Sequence, residues 1–145
     1  MCSSDLEHRY ERLIGGGYFS DLGNYNDGGV AFRWQGRLIN TLQAGPLTHA
    51  LTLNFKSGYT ENATAFNLGS GVNENVRRRV SAYFTWDWQS VWKLQRSLDL
   101  SVGVVNLLDQ DPPLTLKNSG QQVGYDERYT DPRGRTVYAH LKYRF

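Results

Sequence analysis

Few side chains in this sequence are spaced in a way that would perform chemistry. No nucleophile stands in a recognisable arrangement with a histidine base, and the sequence has no glycine-rich phosphate-binding loop. The three histidines, His8, His49 and His140, have no metal-ligand spacing. We therefore expect no catalytic site, no bound metal and no cofactor. The predicted strands and the connections between them say more about the fold and function of this chain than any group of reactive side chains.

Two groups of charged residues are open to a functional and to a structural interpretation. Arg77, Arg78 and Arg79 would attract an anionic ligand or a surface rich in phosphate groups. The same run is also explained as a solvated charge cluster, which we favour. Four carboxylates near the C-terminus lack EF-hand spacing and are better explained as turn caps: Asp109, Asp111, Asp126 and Asp131.

The composition argues against a helical membrane protein and against a nucleic-acid-binding protein. The 145 residues carry a net charge of +2, which is too small to indicate a nucleic-acid partner. Mean hydropathy is -0.55, and no stretch approaches the roughly 20 apolar residues of a membrane-spanning helix. Aromatic residues still make up 13% of the chain, alongside 15 glycines, which is typical of strands joined by flexible loops. The single cysteine excludes a disulfide within the chain.

The N-terminal residues fall into two stretches. Residues 1–6 match the translation of a sequencing adapter read from a GTG start codon, so we expect them not to be native. The sequence shows no signal peptide, and an adapter origin of residues 1–6 would mean that the native N-terminus is missing; a genuine short N-terminus is the alternative. Residues 7–29 include three consecutive glycines at 15–17 and a turn-rich end. They are interpreted as an extracellular loop, with a possible strand end at residues 10–14.

Five stretches of residues 30–145 alternate with the period of two that strands require. The third stretch shows this most clearly, because Val80, Phe84 and Trp88 alternate with Ser81 and Thr85. The five predicted strands cover residues 30–44, 47–59, 79–89, 98–107 and 135–145. Each is long enough to cross a bilayer at a tilt, which takes roughly 9–11 residues.

The connections between these strands alternate between short and long. About two residues, Gly45 and Pro46, separate the first pair, and a short segment near residues 93–97 separates the third and fourth strands. The other connections are long, at about residues 60–78 and 108–134. In an antiparallel sheet all long loops then leave at one end, as in outer-membrane barrels. The pattern predicts an all-β fold, an antiparallel transmembrane β-barrel.

Aromatic side chains are expected to form two girdles, one at each membrane interface. The predicted short-turn end carries Trp86, Trp88, Trp92, Tyr143 and Phe145. The predicted long-loop end carries Phe32, Trp34, Phe55 and Tyr59. A soluble β-sandwich with an aromatic core is the competing interpretation.

The last forty residues resemble the TonB-dependent outer-membrane receptors. The matching positions are Asn106, Leu107, Asp109, Pro112 and Pro113 in the penultimate-strand motif, and Gly124, Tyr125, Asp126, Asp131, Pro132, Arg133, Gly134 and Arg135 before the final strand. Leu108 departs from the family, which more usually has Phe there. Leu141, Tyr143 and Phe145 are similar to the terminal signal that barrel-assembly machinery recognises, and addition of the strand to an open sheet edge would explain that recognition. The resemblance covers roughly residues 28–145.

The resemblance implies a 22-stranded barrel in the cell outer membrane, with a plug domain inside it and an N-terminal TonB box that docks to TonB. This chain supplies about five strands, which cannot close a barrel, so we expect it to be a fragment. The implied function is energy-coupled uptake of a scarce nutrient: an iron–siderophore complex, cobalamin or an oligosaccharide. Lipopolysaccharide and outer-membrane lipid would surround the barrel, and the chain would not be an enzyme.

Four polar residues are expected on the lumen wall, where they would line the substrate path: Arg37, Lys56, Asp87 and His140. For His140 we favour the plainer interpretation, a polar wall residue with no role in substrate passage. The first alternative to a receptor fragment is a complete small outer-membrane protein, structural or adhesive, that closes its barrel by self-association. The second is a soluble β-sandwich enzyme or binding module.

Overall fold

The computed structural model describes residues 9–10, 19–26, 29–62, 64–67, 73–116 and 124–145. The proposed adapter-derived segment at residues 1–6, His8 and the glycines at 15–17 lie outside the described residues. None of the described residues belongs to a helix that is long and apolar enough to cross a membrane.

The described residues form strands and no helix. In chain order the strands are β1 (Arg9–Tyr10), β2 (Phe19–Ser20), β3 (Tyr25–Asn26), β4 (Gly29–Val30), β5 (Gln35–Ala44), β6 (Leu47–Lys56), β7 (Tyr59–Thr60), β8 (Thr64–Asn67), β9 (Asn73–Val76), β10 (Arg79–Val80), β11 (Tyr83–Gln95), β12 (Leu98–Val105) and β13 (Thr136–Tyr143). Every ladder between these strands is antiparallel. Two isolated bridges, Leu22–Ala31 and Asn24–Thr60, are parallel. The predicted all-β, antiparallel class is confirmed for this part of the chain.

The chain divides into two compact units. Unit 1 comprises Met1–Trp34, Ser57–Ala82 and Pro113–Asp126, and unit 2 comprises Gln35–Lys56, Tyr83–Pro112 and Glu127–Phe145. The five long strands form one sheet in unit 2, in the order β13-β12-β11-β6-β5. The short strands of unit 1 form two-stranded pairs.

The connections of the five-stranded sheet are sorted by length, as the sequence predicts. Two-residue turns join β5 to β6 and β11 to β12, at Gly45–Pro46 and Arg96–Ser97. Both long connections leave from the opposite end of the sheet, where Lys56 pairs with Tyr83 and Val105 pairs with Thr136. Gly45 has a φ of +60°, a conformation that glycine adopts without a steric penalty.

The two faces of this sheet differ in polarity. The apolar face carries mainly Leu38 and Leu42 of β5, Leu47, Leu51, Leu53 and Phe55 of β6, Phe84, Trp86, Trp88 and Trp92 of β11, Leu100, Val102 and Val104 of β12, and Val137, Ala139, Leu141 and Tyr143 of β13, and it also includes Asn40, His49 and Ser90. The polar face carries mainly Gln35, Arg37, Thr41, Gln43, Thr48, Thr52, Asn54, Lys56, Thr85, Asp87, Gln89, Asp99, Ser101, Thr136, His140 and Lys142. The apolar face is open: Leu38 is 66% exposed, Leu141 62% and Val137 73%.

The first two predicted strands are longer than the observed ones. The ladder between β5 and β6 stops at Gln35 and Lys56, so residues 30–34 and 57–59 lie outside the sheet. The cause is local: Ser57 donates its backbone N–H to the Trp34 carbonyl over 2.8 Å, but Trp34 donates to the Ser57 hydroxyl instead of the Ser57 carbonyl. A side-chain acceptor replaces the backbone acceptor, and the regular ladder ends there.

The third predicted strand is shifted, and this corrects the assignment of two tryptophans to the short-turn end. Arg79–Val80 pairs with Tyr59–Thr60 in unit 1, while the long strand β11 runs six residues past the predicted end, to Gln95. Trp86 is therefore near the long-connection end, opposite Leu53, and Trp88 is in mid-strand. Trp92, which pairs with Leu47, lies at the short-turn end as predicted.

The segments predicted to be plain loops contain strand pairs of their own. β8 pairs with β9 within the predicted loop at residues 60–78, and β1 pairs with β2 within residues 7–29. The fourth and fifth strands end slightly earlier than predicted, at Val105 and Tyr143.

Unit 1 has a small buried core. Tyr25 is 3% exposed, Tyr59 6% and Val80 1%, and the ring of Phe32 meets that of Tyr59 edge-on with centroids 5.9 Å apart. Gly58 lies so close to β10 that an added Cβ would be 2.6 Å from the Val80 carbonyl oxygen. Of the four aromatics assigned to the long-loop girdle, Phe32, Trp34 and Tyr59 therefore belong to unit 1, and Phe55 belongs to the sheet.

Candidate functional site

A cavity of about 640 Å³ lies within unit 2, over the polar face of the sheet near its long-connection end. Strands β5, β6, β11, β12 and β13 supply one wall, and the segment at residues 127–134, which precedes β13, supplies the other. The residues that line the cavity are Gln35, Gly36, Asn54, Phe55, Lys56, Tyr83, Thr85, Asp87, Val105, Asn106, Glu127, Arg128, Tyr129, Thr130, Asp131, Arg133, Gly134 and Thr136. The volume falls in the range of small-molecule sites, about 300–1,000 Å³.

Lys56 joins the two walls. Its ammonium donates a hydrogen bond to the Tyr129 carbonyl over 2.6 Å and lies 5.9 Å from the centroid of the Tyr129 ring. The guanidinium of Arg128 lies 5.4 Å from the same centroid. An ammonium has three N–H donors, so Lys56 can bind this carbonyl and still donate toward the cavity.

Asp87 is the centre of a hydrogen-bond network in the sheet wall. One carboxylate oxygen accepts from the Asn54 side chain over 2.7 Å, and the other accepts from the Asn106 backbone over 2.9 Å. The Asn106 side chain in turn donates to the Gln110 carbonyl and accepts from the Gln110 backbone N–H. The network closes the chain into a turn directly after β12, with Asn106 only 4% exposed.

An ion pair stiffens the opposite wall. The Arg133 guanidinium contacts both carboxylate oxygens of Asp131, at 2.6 Å for the closest pair. Hydrogen bonds from Arg133 hold the pKa of Asp131 below its usual value. The hydrogen bond with Asp131 in turn raises the pKa of Arg133. The Asp131 carbonyl also accepts a long hydrogen bond of 3.5 Å from the Tyr83 hydroxyl.

The structure brings together two of the four predicted lumen residues. Lys56 and Asp87 line the cavity. Arg37 is exposed on the polar face of β5, opposite Asn54, and His140 is exposed on β13, opposite Ser101; neither lines the cavity. All four do share the polar face, as their sequence parity predicts.

The residues of the family-like motifs are divided between the units. Asn106, Asp131, Arg133 and Gly134 line the cavity. The Asp109 carboxylate accepts the Arg135 backbone N–H over 2.7 Å. The remaining motif residues lie elsewhere in the chain: Leu107, Pro112 and Pro132 in unit 2, and Pro113, Gly124, Tyr125 and Asp126 in unit 1. Leu141 and Tyr143 of the predicted assembly signal are exposed on the apolar face, and Phe145 follows the last strand, fully exposed.

Many of the residues that line the cavity were not predicted from the sequence, among them Asn54, Tyr83 and Tyr129. Asn54 and Tyr83 share the polar face with Lys56, so the alternation of their strands was an available signal. Tyr129 lies in an irregular segment without periodicity, and nothing in the sequence pattern shows that this segment returns over the sheet.

A second polar cluster is buried in unit 1. Glu61 is 4% exposed, Thr115 2% and Asp126 2%. One Glu61 oxygen accepts hydrogen bonds from the Thr115 hydroxyl and from the Leu116 backbone, so it ties two segments that are distant in sequence. Burial, opposed by a hydrogen bond with Thr115 and reinforced by the charges of Asp126 and Glu61, raises the pKa of the Tyr59 hydroxyl to about 12.

Comparisons with known proteins add no relative to this description. A scan of protein-family models, a search of curated proteins and a search of solved structures each found no match to the chain.

Proposed function

We propose that the five-stranded sheet is a section of an outer-membrane β-barrel wall, and that the protein is a TonB-dependent receptor for a scarce nutrient. The observation that carries the proposal is the polarity of the sheet. Its apolar face is largely open, with Leu38, Val137 and Leu141 each more than 60% exposed, and its polar face carries the cavity. A soluble protein buries such an apolar surface, whereas a barrel wall turns it toward lipid.

The connections support the same proposal. Two-residue turns alternate with long connections, and both long connections leave at one end of the sheet. This is the arrangement of barrels with short periplasmic turns and long extracellular loops. The sequence motifs before β13 and at Phe145 resemble those of the receptor family.

In the proposed mechanism the extracellular connections collect the nutrient and the polar face guides it inward. The cavity beside Lys56 and Asp87 is a contact point on this path. A plug domain, pulled by TonB at the expense of the inner-membrane proton gradient, opens the barrel. This mechanism involves no covalent bond made or broken by the chain.

Tryptophan quenching tests the membrane orientation. Trp86, Trp88 and Trp92 share the apolar face, whereas Trp34 lies outside the sheet, so Trp34→Phe leaves three reporters on one face. After refolding into vesicles, lipids brominated on their acyl chains should quench most of the emission, and aqueous iodide should quench little. A monodisperse, detergent-free monomer with iodide-accessible tryptophans would contradict a membrane location.

The receptor assignment needs a separate experiment. The reading frame upstream of residue 7 in the genome should encode a plug domain and a TonB box, and nutrient uptake by the host should stop when TonB is deleted. The alternative, a small barrel closed by self-association through the edge strands β5 and β13, gives a short reading frame with a signal peptide and a heat-modifiable oligomer.

A further inference from the structure

The last strand lacks the feature that usually sets strand register. β13 follows β12 after a connection of some thirty residues, so no tight turn aligns the two strands. Alternation of apolar and polar residues forbids a slip of one residue, because every side chain would change face. A slip of two residues would keep all faces correct.

The first alignment contact lies where β13 begins. The Asp109 carboxylate accepts the Arg135 backbone N–H over 2.7 Å. Gly134, with a φ of +67°, lies directly beside it: an added Cβ would be 2.9 Å from the same carboxylate oxygen. Asp109 itself has a φ of +55°, a backbone conformation that residues other than Gly, Asn and Asp rarely adopt.

The second contact lies in the middle of the strand. Gly103 pairs with Tyr138, and the Tyr138 ring lies over the glycine, where an added Cβ would be 2.5 Å from ring atoms. An aromatic ring that covers a cross-strand glycine is a known device for fixing register. After a slip of two residues the ring would meet Ser101 or Val105, both of which have side chains.

The third contact lies at the end of the strand. The Arg144 guanidinium contacts the Asp99 carboxylate at 2.7 Å, and the Arg144 backbone donates to the Ser97 carbonyl over 2.8 Å. Asp99 is on the polar face of β12, opposite Lys142. A slip would move Arg144 away from both partners.

We propose that these three contacts, Asp109 with Arg135, Gly103 with Tyr138 and Asp99 with Arg144, hold the final strand in register in place of a turn. The contacts lie at the start, the middle and the end of the strand. A slip of two residues in either direction would break all three. The assignment concerns the sheet itself and holds whether or not the sheet is in a membrane.

Disulfide trapping measures the register directly. In a Cys2→Ser background, Val102→Cys with Ala139→Cys reports the observed register, because these residues are directly opposite. Val102→Cys with Val137→Cys, or with Leu141→Cys, reports a slip of two in either direction. The full chain, refolded in detergent micelles, should form the first disulfide efficiently and the other two rarely.

Removing two contacts should release the slip. With Gly103→Ala and Asp109→Ala together, the slipped disulfides should rise about tenfold relative to the observed one, which is the change expected from losing one or two ordinary hydrogen bonds. Gly36→Ala is the matched control, since a Cβ at Gly36 would have no atom within 4 Å. Unchanged slipped fractions in the double variant would overturn the proposal.

A double-mutant cycle covers the case in which Gly103→Ala refolds poorly. Tyr138→Ala removes the ring that the new methyl group would displace, so Gly103→Ala should cost much less in that background. If Gly103→Ala destabilised the chain equally with and without the Tyr138 ring, the contact between the ring and Gly103 would not contribute to the register.

Discussion

Asn106 shows how one side chain can end a strand and build a site wall. It has a φ of +53°, its backbone N–H is bound by Asp87, and its side chain makes two hydrogen bonds with Gln110. Asparagine is among the few residues with a side chain that tolerate this backbone conformation. The amide supplies a donor and an acceptor together, which explains the residue at this position.

Two substitutions at Asn106 separate its side-chain bonds from its backbone conformation. Asn106→Gly keeps the conformation but leaves the Gln110 groups without their partner, which should lower the free energy of unfolding by about 1–3 kcal/mol. Asn106→Ala should cost about 1–2 kcal/mol more, because alanine is strained at this φ. Urea unfolding of the refolded chain in micelles measures both. Equal stabilities of the two variants would contradict the conformational part.

Tyr59 should make the stability of unit 1 sensitive to alkaline pH. Its pKa is raised from 10.0 to about 12, chiefly by burial, so the unfolded chain loses this proton first. The contribution of the protonated Tyr59 hydroxyl to the free energy of unfolding is fully present below pH 10 and is lost as the pH rises toward 12. Tyr59→Phe, which keeps the ring and removes the hydroxyl, is the control. The stability of the unaltered chain relative to this variant should fall across that window; parallel pH curves would refute the assignment.

The hairpin between β5 and β6 depends on a single glycine conformation. An added Cβ at Gly45 would meet no atom within 4 Å, but the φ of +60° is strained for other residues. Gly45→Ala should therefore destabilise the chain by about 1–2 kcal/mol. Gly36→Ala in β5, with ordinary backbone and equal space, should cost less. Urea midpoints for the two variants test this; a larger loss at Gly36 would contradict it.

At this scale the sequence predicted the existence of all five long strands and the sorting of their connections. Alternation reveals which face a residue takes, but not where the ladder stops. At Trp34 and Ser57 the ladder ends because the Ser57 hydroxyl replaces a backbone carbonyl as the hydrogen-bond acceptor. The alternation of apolar and polar residues contains no sign of this replacement. At Arg79 and Val80 the pattern continues although the residues pair with β7, because a short strand and a long one have the same periodicity.

The candidate site was predictable only in part, for a related reason. Lys56 and Asp87 lie on regular strands, so their parity places them on the polar face. The opposite wall is an irregular segment, and it meets the sheet through contacts such as that of the Lys56 ammonium with the Tyr129 carbonyl. Such a long-range contact leaves no local pattern in the sequence.

For the whole molecule, the proposed lipid contact predicts that the two faces of the sheet tolerate charge differently. Val102 and Ser101 are neighbours near the middle of β12, are both half-buried, and belong to opposite faces. Val102→Arg should lower the stability of the chain in a bilayer by about 2–4 kcal/mol, whereas Ser101→Arg should have little effect. Urea titration in lipid vesicles compares the two. Similar losses at both positions would argue against lipid on one face and water on the other.

The alignment of the strands is independent of the length of the long connections. Tight turns and side-chain contacts align the strands, so the alignment does not require a connection of any particular length. Lengthening a connection that is already long adds only about 0.6 kcal/mol of closure entropy per doubling. The long connections can therefore diverge by insertion and deletion while the five-stranded sheet stays the same.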